Sequence, residues 1–549
     1  MSATLTPATL PSGQQVFILK EGTTETKGRD AQRNNIMAAK MVADIVRSSL
    51  GPRGMDKMLV DSLGDVAITN DGATILKEID IQHPAAKMMV EISKTTDSEV
   101  GDGTTSAVVL AGALLERAEE LISKDVHPTI IIDGYNTAAA KALEFLDEIA
   151  VKVKPGDKET LVRIAETSMQ TKLVSDISKE LAELVVGAML QVAEQQEDGT
   201  YKVDIANVKV EKKPGGSLSD TTIIKGIILD KEVVHSGMPK RVEEAKIALI
   251  NSPLEIEKTE FSAEIRITDP TQMKKYLEEE NYMLKEMVDK IVSVGANVLV
   301  CQKGIDDVAQ SLLAKAGVLA VRRAKESDMT MLAKATGARL VTNINDFAEK
   351  DLGYAKLVEE RKIEQDRWVF VEGCKNPKAV SILIRGGQQR AVDEAERSLH
   401  DAIMVTKDVL EKPEIVAGGG APEAEIASRL RAYSSRVSGR EQLAILKFAD
   451  ALEVIPMALS ENAGMDEIDT LVEMRASHGQ GKKWVGINVL TGKVSDMMDY
   501  VIEPVAVKEE VIRAAAEASC LILRVNDVLA AARPAGPAPP SPGAGEMGY

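Results

Sequence analysis

Apolar residues recur at three- and four-residue intervals over residues 30–150, mostly as Met, Ala, Val and Leu, and predict a run of amphipathic helices. One of these begins near residue 104, where Ala107, Val108, Ala111, Leu114, Leu115, Ala118, Leu121 and Ile122 share one face. Residues 160–198 keep the helical period. The pattern then changes. Lys202–Val210 and Thr221–Leu229 are β-branched and partly alternating, and Lys246–Asn251 reads as a short strand. Over 296–342, strands at 297–301, 318–321 and 339–342 alternate with helices at 305–316 and 328–336, a βαβαβ run that predicts a separate parallel α/β unit. Long helices return from about 387. In 390–410 an apolar stripe runs through Ala391, Ala395, Leu399, Ala402 and Ile403. Helical, then α/β, then helical predicts one domain made from both chain ends with another threaded into its middle. Val16–Lys20 and Cys520–Val525 read as strands able to pair within or between chains. Residues 1–15 and 533–549 read as disordered ends, the latter Pro/Gly/Ala-rich from Arg533 onward.

Composition narrows the function. A chain of 549 residues suggests about three or four domains. The formal charge of −18 disfavours nucleic acid and anionic membranes as partners. No apolar run is long enough to span a bilayer, and residues 1–15 lack a basic stretch followed by an apolar core, so a cytoplasmic protein is expected. Cys301, Cys374 and Cys520 are too few and too scattered for a disulfide framework, and the five histidines are too dispersed for a zinc site. Any catalysis therefore has to run on carboxylates, lysines, backbone and a bound ion.

The sharpest chemical signal is Gly101-Asp102-Gly103-Thr104-Thr105-Ser106, a glycine turn running directly into a helix. Such a junction presents free N–H groups and the positive end of the helix dipole to an anion. An aspartate there suits phosphate only if a divalent cation comes with it, so Asp102 reads as a Mg²⁺ ligand and Thr104, Thr105 and Ser106 as phosphate contacts. Taken alone, the turn would be ordinary and Thr104 an N-cap. Neither Gly486–Lys493 nor Gly479–Lys483 has the spacing or final hydroxyl of a P-loop, which disfavours that class of NTPase.

Three other segments accompany this loop: Gly51-Pro52-Arg53-Gly54-Met55-Asp56-Lys57-Met58, Thr69-Asn70-Asp71-Gly72-Ala73-Thr74, and Gly418-Gly419-Gly420-Ala421-Pro422-Glu423. In this order and spacing they resemble the chaperonin family, and within it the group II branch of the archaeal thermosome and the eukaryotic cytosolic chaperonin. The resemblance spans roughly residues 16–530. It implies a multidomain α and α/β fold: a mostly helical equatorial ATP-binding domain from 1–152 and 410–549, an intermediate hinge domain from 153–222 and 376–409, and an α/β apical substrate-binding domain over 223–375. A built-in helical lid is expected at about 252–292, carrying Leu254, Ile256, Phe261, Ile265 and Ile267 and then a helix through Tyr276, Leu277, Met283, Leu284, Met287 and Val288.

The same resemblance supplies roles. Gly51, Gly103, Thr104, Thr105 and Ser106 are implied phosphate contacts and Asp102 the Mg²⁺ ligand; serine at 106 replaces the more usual threonine and keeps the hydroxyl. Asp71 is implied near the γ-phosphate and the attacking water, Asp401 as catalytic base, and Lys172 as a sensor of the γ-phosphate. Gly419 lies in a loop suited to backbone contact with nucleotide. Asn488, Val489 and Leu490 are implied around adenine and Glu503 at the ribose. Asp393 and Asp408, on the same helical stretch as Asp401, read as solvated. The implied activity is folding of unfolded protein clients inside stacked double rings of identical or paralogous subunits, driven by ATP and Mg²⁺. A small-molecule kinase and a structural ring protein with a vestigial ATPase are the alternatives.

Overall fold

The structure, a computed structural model, describes residues 24–530 except 61–63, 65, 171, 173, 198, 257–269 and 375–377, together with the two-residue strands Ala3–Thr4, Ala8–Thr9 and Gln15–Val16. The expected disordered tail, the rest of residues 1–15, and Phe261, Ile265 and Ile267 of the expected lid lie outside the described residues. Against the expectation of a disordered start, Ala3–Thr4 pairs with Thr24–Glu25 and Ala8–Thr9 with Gln15–Val16.

Among the described residues from Gly28 to Ile149 there are five helices: α1 (Gly28–Arg47), α2 (Gly72–Glu78), α3 (Pro84–Val100), α4 (Thr104–Ile122) and α5 (Pro128–Ile149). A hairpin of Lys57–Val60 with Val66–Thr69 precedes α2. Every residue from Ala107 to Leu115 is buried, so α4 is enclosed on all sides, as a helix apolar all round must be. Next come α6 (Lys158–Met169) and α7 (Ser178–Val192), then strand Val208–Pro214.

The expected strand Thr221–Leu229 divides in two. Thr222–Ile224 pairs with Val380–Gly386, and Gly226–Leu229 pairs with Asp366–Cys374 in a different sheet. At Gly226 the backbone passes so near the Val371 carbonyl that a Cβ would stand 1.9 Å from its oxygen, and there the chain changes sheets.

The inserted unit is a mixed seven-stranded sheet ordered Gly226–Leu229, Asp366–Cys374, Gly353–Ile363, Arg241–Ile250, Val298–Cys301, Leu319–Val321, with Leu340–Val341 also paired to Arg241–Ile250. Arg241–Ile250 runs parallel to Val298–Cys301 and Leu340–Val341, and Val298–Cys301 parallel to Leu319–Val321. Helices α8 (Pro270–Ser293), α9 (Asp307–Lys315) and α10 (Glu326–Thr336) belong to it, so the βαβαβ run of the sequence is present. Its core is separate and drawn from residues 227–379. The described part of the expected lid segment is only partly free of that core. Leu254, Leu284 and Val288 are buried in it, while Tyr282 and Met283 are exposed.

The return path uses Val380–Gly386, parallel to Val208–Pro214, and then α11 (Gln389–Glu411). Helices α12 (Ala421–Ser434), α13 (Glu441–Leu452), α14 (Val454–Asn462), α15 (Glu467–Gly479) and α16 (Val505–Arg524) complete the first body. α16 packs on α3, α4 and α5, which joins the two chain ends in one core. Cys520–Val525 is therefore not a strand. Ala515, Ile522 and Leu523 continue the buried face of α16, and the strand starts only at Asp527. Asp527–Ala530 then pairs within the chain, antiparallel to Thr24–Lys27. Of Val16–Lys20, residues 17–20 lie outside the described residues. A small sheet of Ile502–Pro504, Glu414–Ala417 and Val151–Lys152 ties three distant segments together beside the site described next.

Candidate functional site

α3 ends at Gly101, whose φ of +68° is left-handed, and α4 starts after Gly103, with φ of +76°. The first intrahelical bond of α4 runs from the Ala107 N–H to the Gly103 carbonyl at 2.9 Å, so the N–H groups of Thr104, Thr105 and Ser106 precede the helical ladder and lie at its positive end. A side chain at Gly103 would place Cβ 2.8 Å from Val511 and 3.0 Å from Val507. Only glycine lets the loop fit against α16.

Asp71 caps α2. Its Oδ2 accepts from the Thr74 N–H at 2.9 Å and the Thr74 hydroxyl at 2.7 Å, and its Oδ1 faces the Thr104 hydroxyl at 3.4 Å. The start of α2 also touches Thr105, since a Cβ on Gly72 would lie 2.5 Å from the Thr105 hydroxyl. From the other side α11 closes down on the loop. A Cβ on Gly101 would meet Met404 at 2.4 Å, and Asp401 makes an ion pair with Lys172. Lys172 and Asp401 are both almost fully buried.

Three carboxylates thus share one buried lysine. Burial would lower Lys172, but Asp401, Asp71 and Asp102 together hold it above the ordinary lysine value. Burial raises Asp71, yet Lys172 and the Thr74 hydrogen bonds outweigh it and leave its carboxyl below the ordinary range. Asp102 is raised by burial and by Asp71, against the pull of Lys172 and the Gly103 N–H. Asp401 is raised furthest, by burial and by the two neighbouring acids, although Lys172 opposes this. Like charges gathered out of water behave in this way until a cation joins them. Among the described residues no group of three or more His, Cys, Asp and Glu could hold a metal. Mg²⁺, however, is ordinarily bound through one or two carboxylates with phosphate and water completing its shell. An acidic cluster in excess over its lysine, beside free helix N–H groups, fits that ion.

The two acids expected to be solvated differ from each other. Asp393 is partly exposed and accepts from Lys212 at 2.9 Å. Asp408 is buried, its Oδ2 lacks a hydrogen-bond partner, and burial pushes its carboxyl up to about 7. The apolar stripe of α11 suggested one buried face. In fact every residue from Asp401 to Leu410 except Lys407 is buried, because α11 threads between elements instead of lying on a surface.

Next to the acidic cluster is a cavity of about 490 Å³, lined by Gly51, Asp102, Gly103, Ser106, Gly419, Asn488, Val489, Leu490 and Glu503 among others. Asp71, Thr104, Thr105, Lys172 and Asp401 are not among the residues that line it. The carboxamide oxygen of Asn488 accepts from the Leu490 and Thr491 amides at 3.1 and 3.2 Å, so it shapes the turn that carries Val489 and Leu490. Ile487, Met497 and Tyr500 add apolar wall, and Thr167 and Gln170 approach from the end of α6.

Two charged residues were not singled out from the sequence. Lys508 lines the cavity and bridges Glu503 at 2.6 Å and Glu423 at 2.9 Å. The available signal was a lone lysine directly after the apolar run Val505-Ala506-Val507, three residues before Val511. Glu423 closes the Gly418–Glu423 motif but was not given a role.

The fold thus places a free helix start, an acidic cluster and an apolar-walled cavity together. The chain belongs to the TCP-1/cpn60 chaperonin family, whose model matches residues 42–533. It is similar to the thermosome subunit of Pyrococcus abyssi, 60% identical over 521 residues that cover 95% of this chain and 94% of that one. Thermosome subunit beta of Thermococcus kodakarensis is 59% identical, covering 95% and 96%. Among solved structures, the open-state monomer of a group II chaperonin from Methanococcoides burtonii matches with a TM-score of 0.59 at 44% identity, covering 78% of this chain and all of that one. The chain is an ATP-dependent chaperonin of the group II class, with the multidomain helical and α/β fold of that class.

Proposed function

We propose that this chain binds Mg-ATP in the cavity and hydrolyses it to drive enclosure of unfolded proteins. The observation that carries this reading is the convergence of Asp71, Asp102, Asp401 and Lys172 on the free N-terminus of α4. The N–H groups of Thr104, Thr105 and Ser106 and the Gly51 and Gly419 backbones hold the phosphates. Asp102 is the residue that would hold Mg²⁺, which when bound neutralises phosphate charge and orients the γ-phosphate. Asp401, raised by burial, takes a proton from the attacking water, and Asp71, which keeps its charge, orients that water. Lys172 registers whether negative charge is present and holds Asp401 in place. Ile487, Val489 and Leu490 flank the base, and Glu503 accepts from the ribose.

The first body supplies the equatorial part (1–152 and 410–549) and the intermediate part (153–222 and 376–409). The second is the apical part (223–375), whose segment around 252–292 closes the chamber. Exposed Tyr282 and Met283 are apolar contacts for clients. Subunits, identical or paralogous, stack as double rings in the cytoplasm. Among the described residues no helix is long and apolar enough to cross a membrane.

The test combines electron-microscope images with and without Mg-ATP, phosphate release, and protease protection of a denatured client. Double rings that close with nucleotide and shield the client support the proposal. A nucleotide-indifferent ring would favour a structural protein with a vestigial ATPase, and a monomer phosphorylating a small molecule would favour a kinase.

A further inference from the structure

We infer that Lys508, anchored by Glu423, is a positioning residue that aims the Glu503 carboxylate into the cavity to receive the ribose hydroxyls of a nucleoside triphosphate. The inference rests on reading the cavity as a nucleotide site.

Lys508 lies in the early part of α16 among the buried side chains of Val505, Val507 and Val511. A lysine so enclosed needs a partner, and this one has two, on separate elements. Glu503 comes from strand Ile502–Pro504, held in register opposite Val416. Glu423 comes from the first turn of α12, where the helix dipole favours a carboxylate. Lys508 Nζ stands 2.6 Å from Glu503 Oε2 and 2.9 Å from Glu423 Oε1.

The two acids are not equivalent. The Glu423 side chain is 4% exposed, while that of Glu503 is 23% exposed and lines the cavity. Glu423 therefore fixes the lysine from behind, and the lysine fixes Glu503 in front. The remaining oxygen of Glu503 is steered as well. Its Oε1 would lie 2.6 Å from a Cβ on Gly418, so the carboxylate rests against the glycine loop and cannot swing that way.

The charged groups facing Glu503 are Lys508 on α16, Glu423 on α12 and Asp102 on the loop between α3 and α4. Burial raises the Glu503 carboxyl above its ordinary value, Lys508 draws it back, and Glu423 and Asp102 push it up. An ionised carboxylate can accept from both ribose hydroxyls. A protonated one loses an acceptor and the charge-assisted bond. Lys508 and Glu423 should thus act on ribose recognition in opposite senses, which a merely structural tie between α12 and α16 would not do.

The test measures binding of ATP and 2′-deoxy-ATP to the assembled full-length protein by calorimetry from pH 5 to 8.5. The wild type should prefer ATP and lose that preference as pH falls through the Glu503 titration. K508M should cut the preference about tenfold at pH 7 and move its loss to higher pH. E423Q, which keeps the Lys508–Glu503 pair and removes a neighbouring negative charge, should move the loss to lower pH. K508R should retain the wild-type profile. E423Q and K508R carry the test even if K508M does not fold. Profiles unchanged in E423Q, or shifted the same way in K508M and E423Q, would overturn the inference. A wild type that binds both nucleotides equally would show that Glu503 does not meet the ribose. Failure of the wild type to bind either one would overturn the nucleotide reading itself, and the inference with it.

Discussion

Asp401 and Asp408 lie two turns apart on α11, and both are buried, but their surroundings separate them. Asp401 has Lys172 and two further acids as neighbours, whereas Asp408 has an unpartnered oxygen. Asp401→Ala should leave ATP affinity unchanged or tighter, since it removes negative charge near the phosphates. It should slow single-turnover hydrolysis by about 10²–10⁴, the usual loss when a placed general base is removed. Equilibrium binding and single-turnover hydrolysis on one preparation check this, and loss of both together would assign Asp401 a purely structural role. Asp408 predicts a pH effect on stability. Its folded carboxyl is raised to about 7, above the unfolded value of about 3.9. The folded state therefore binds the proton more tightly. The stability this confers is complete below about pH 4 and is lost as pH rises through 7. Asp408→Asn, a permanently neutral isostere, should match the wild type near pH 4 and become more stable by about 2–4 kcal/mol at pH 8. Denaturant unfolding at several pH values reads this, and a difference that does not vary with pH would mean that Asp408 is in water. Asp408 was misread because sequence periodicity reports one apolar face. It does not reveal that α3, α6, α7 and α16 all pack around α11.

Among the elements, the helices and the βαβαβ run were legible because their apolar periods are long and regular. The glycine loop was legible because left-handed backbone and a helix start demand that composition. Two things were not legible: where a strand changes sheets, at Gly226, and that Cys520–Val525 continues a helix. Both depend on what lies across from the segment, Val371 in one case and the α16 partners α4 and α5 in the other. Lys508 and Glu423 escaped for a related reason, since an ion pair between residues 85 positions apart leaves no local signature. Gly103→Ala tests the loop as an element. The added methyl meets Val507 and Val511 and the left-handed backbone disfavours it, at a strain of about 1–3 kcal/mol. ATP affinity should fall about tenfold or more in calorimetry while helical content is kept. For α8 the buried residues set the limits of a lid deletion. Removing 257–280 spares Leu284, Val288 and Ile291, which pack in the second core, so ATPase activity should persist while clients become open to protease. Extending the cut through Leu284 should instead destabilise the inserted body, as loss of a buried leucine costs about 2–5 kcal/mol. A short deletion that still shields clients would move the lid elsewhere.

At the scale of the whole molecule, hydrolysis can do mechanical work only if the inserted body responds to the cavity. The connection is physical at both ends of the intervening segment. Near the cavity, α11 meets the loop at Gly101 and Lys172 at Asp401. Farther out, Lys209 on strand Val208–Pro214 meets Asp328 in the first turn of α10, with Nζ 2.6 Å from Oδ1. Lys209 also donates to the Ile228 carbonyl at 2.7 Å. Asp328 is wholly buried and neither of its oxygens has a hydrogen bond, so Lys209 and the helix start are what compensate its charge. Breaking such a pair from one side strands a buried charge. Lys209→Met or Asp328→Leu alone should therefore destabilise the fold by about 3–5 kcal/mol. The double variant removes both charges and should recover most of that loss, since an apolar replacement of a buried pair is often neutral. It would then approach the stability of the wild type, less what Glu211 loses when Lys209 Nζ, 2.8 Å away, is removed, without the tie between the strand and α10. If the pair transmits motion, the double variant should bind and hydrolyse ATP normally but shield clients from protease poorly, because the two bodies respond to nucleotide separately. A double-mutant cycle on stability, run beside ATPase and protease-protection assays, separates these effects. Full client protection in a double variant of normal stability would show that α11 alone carries the coupling and that Lys209–Asp328 only compensates charge.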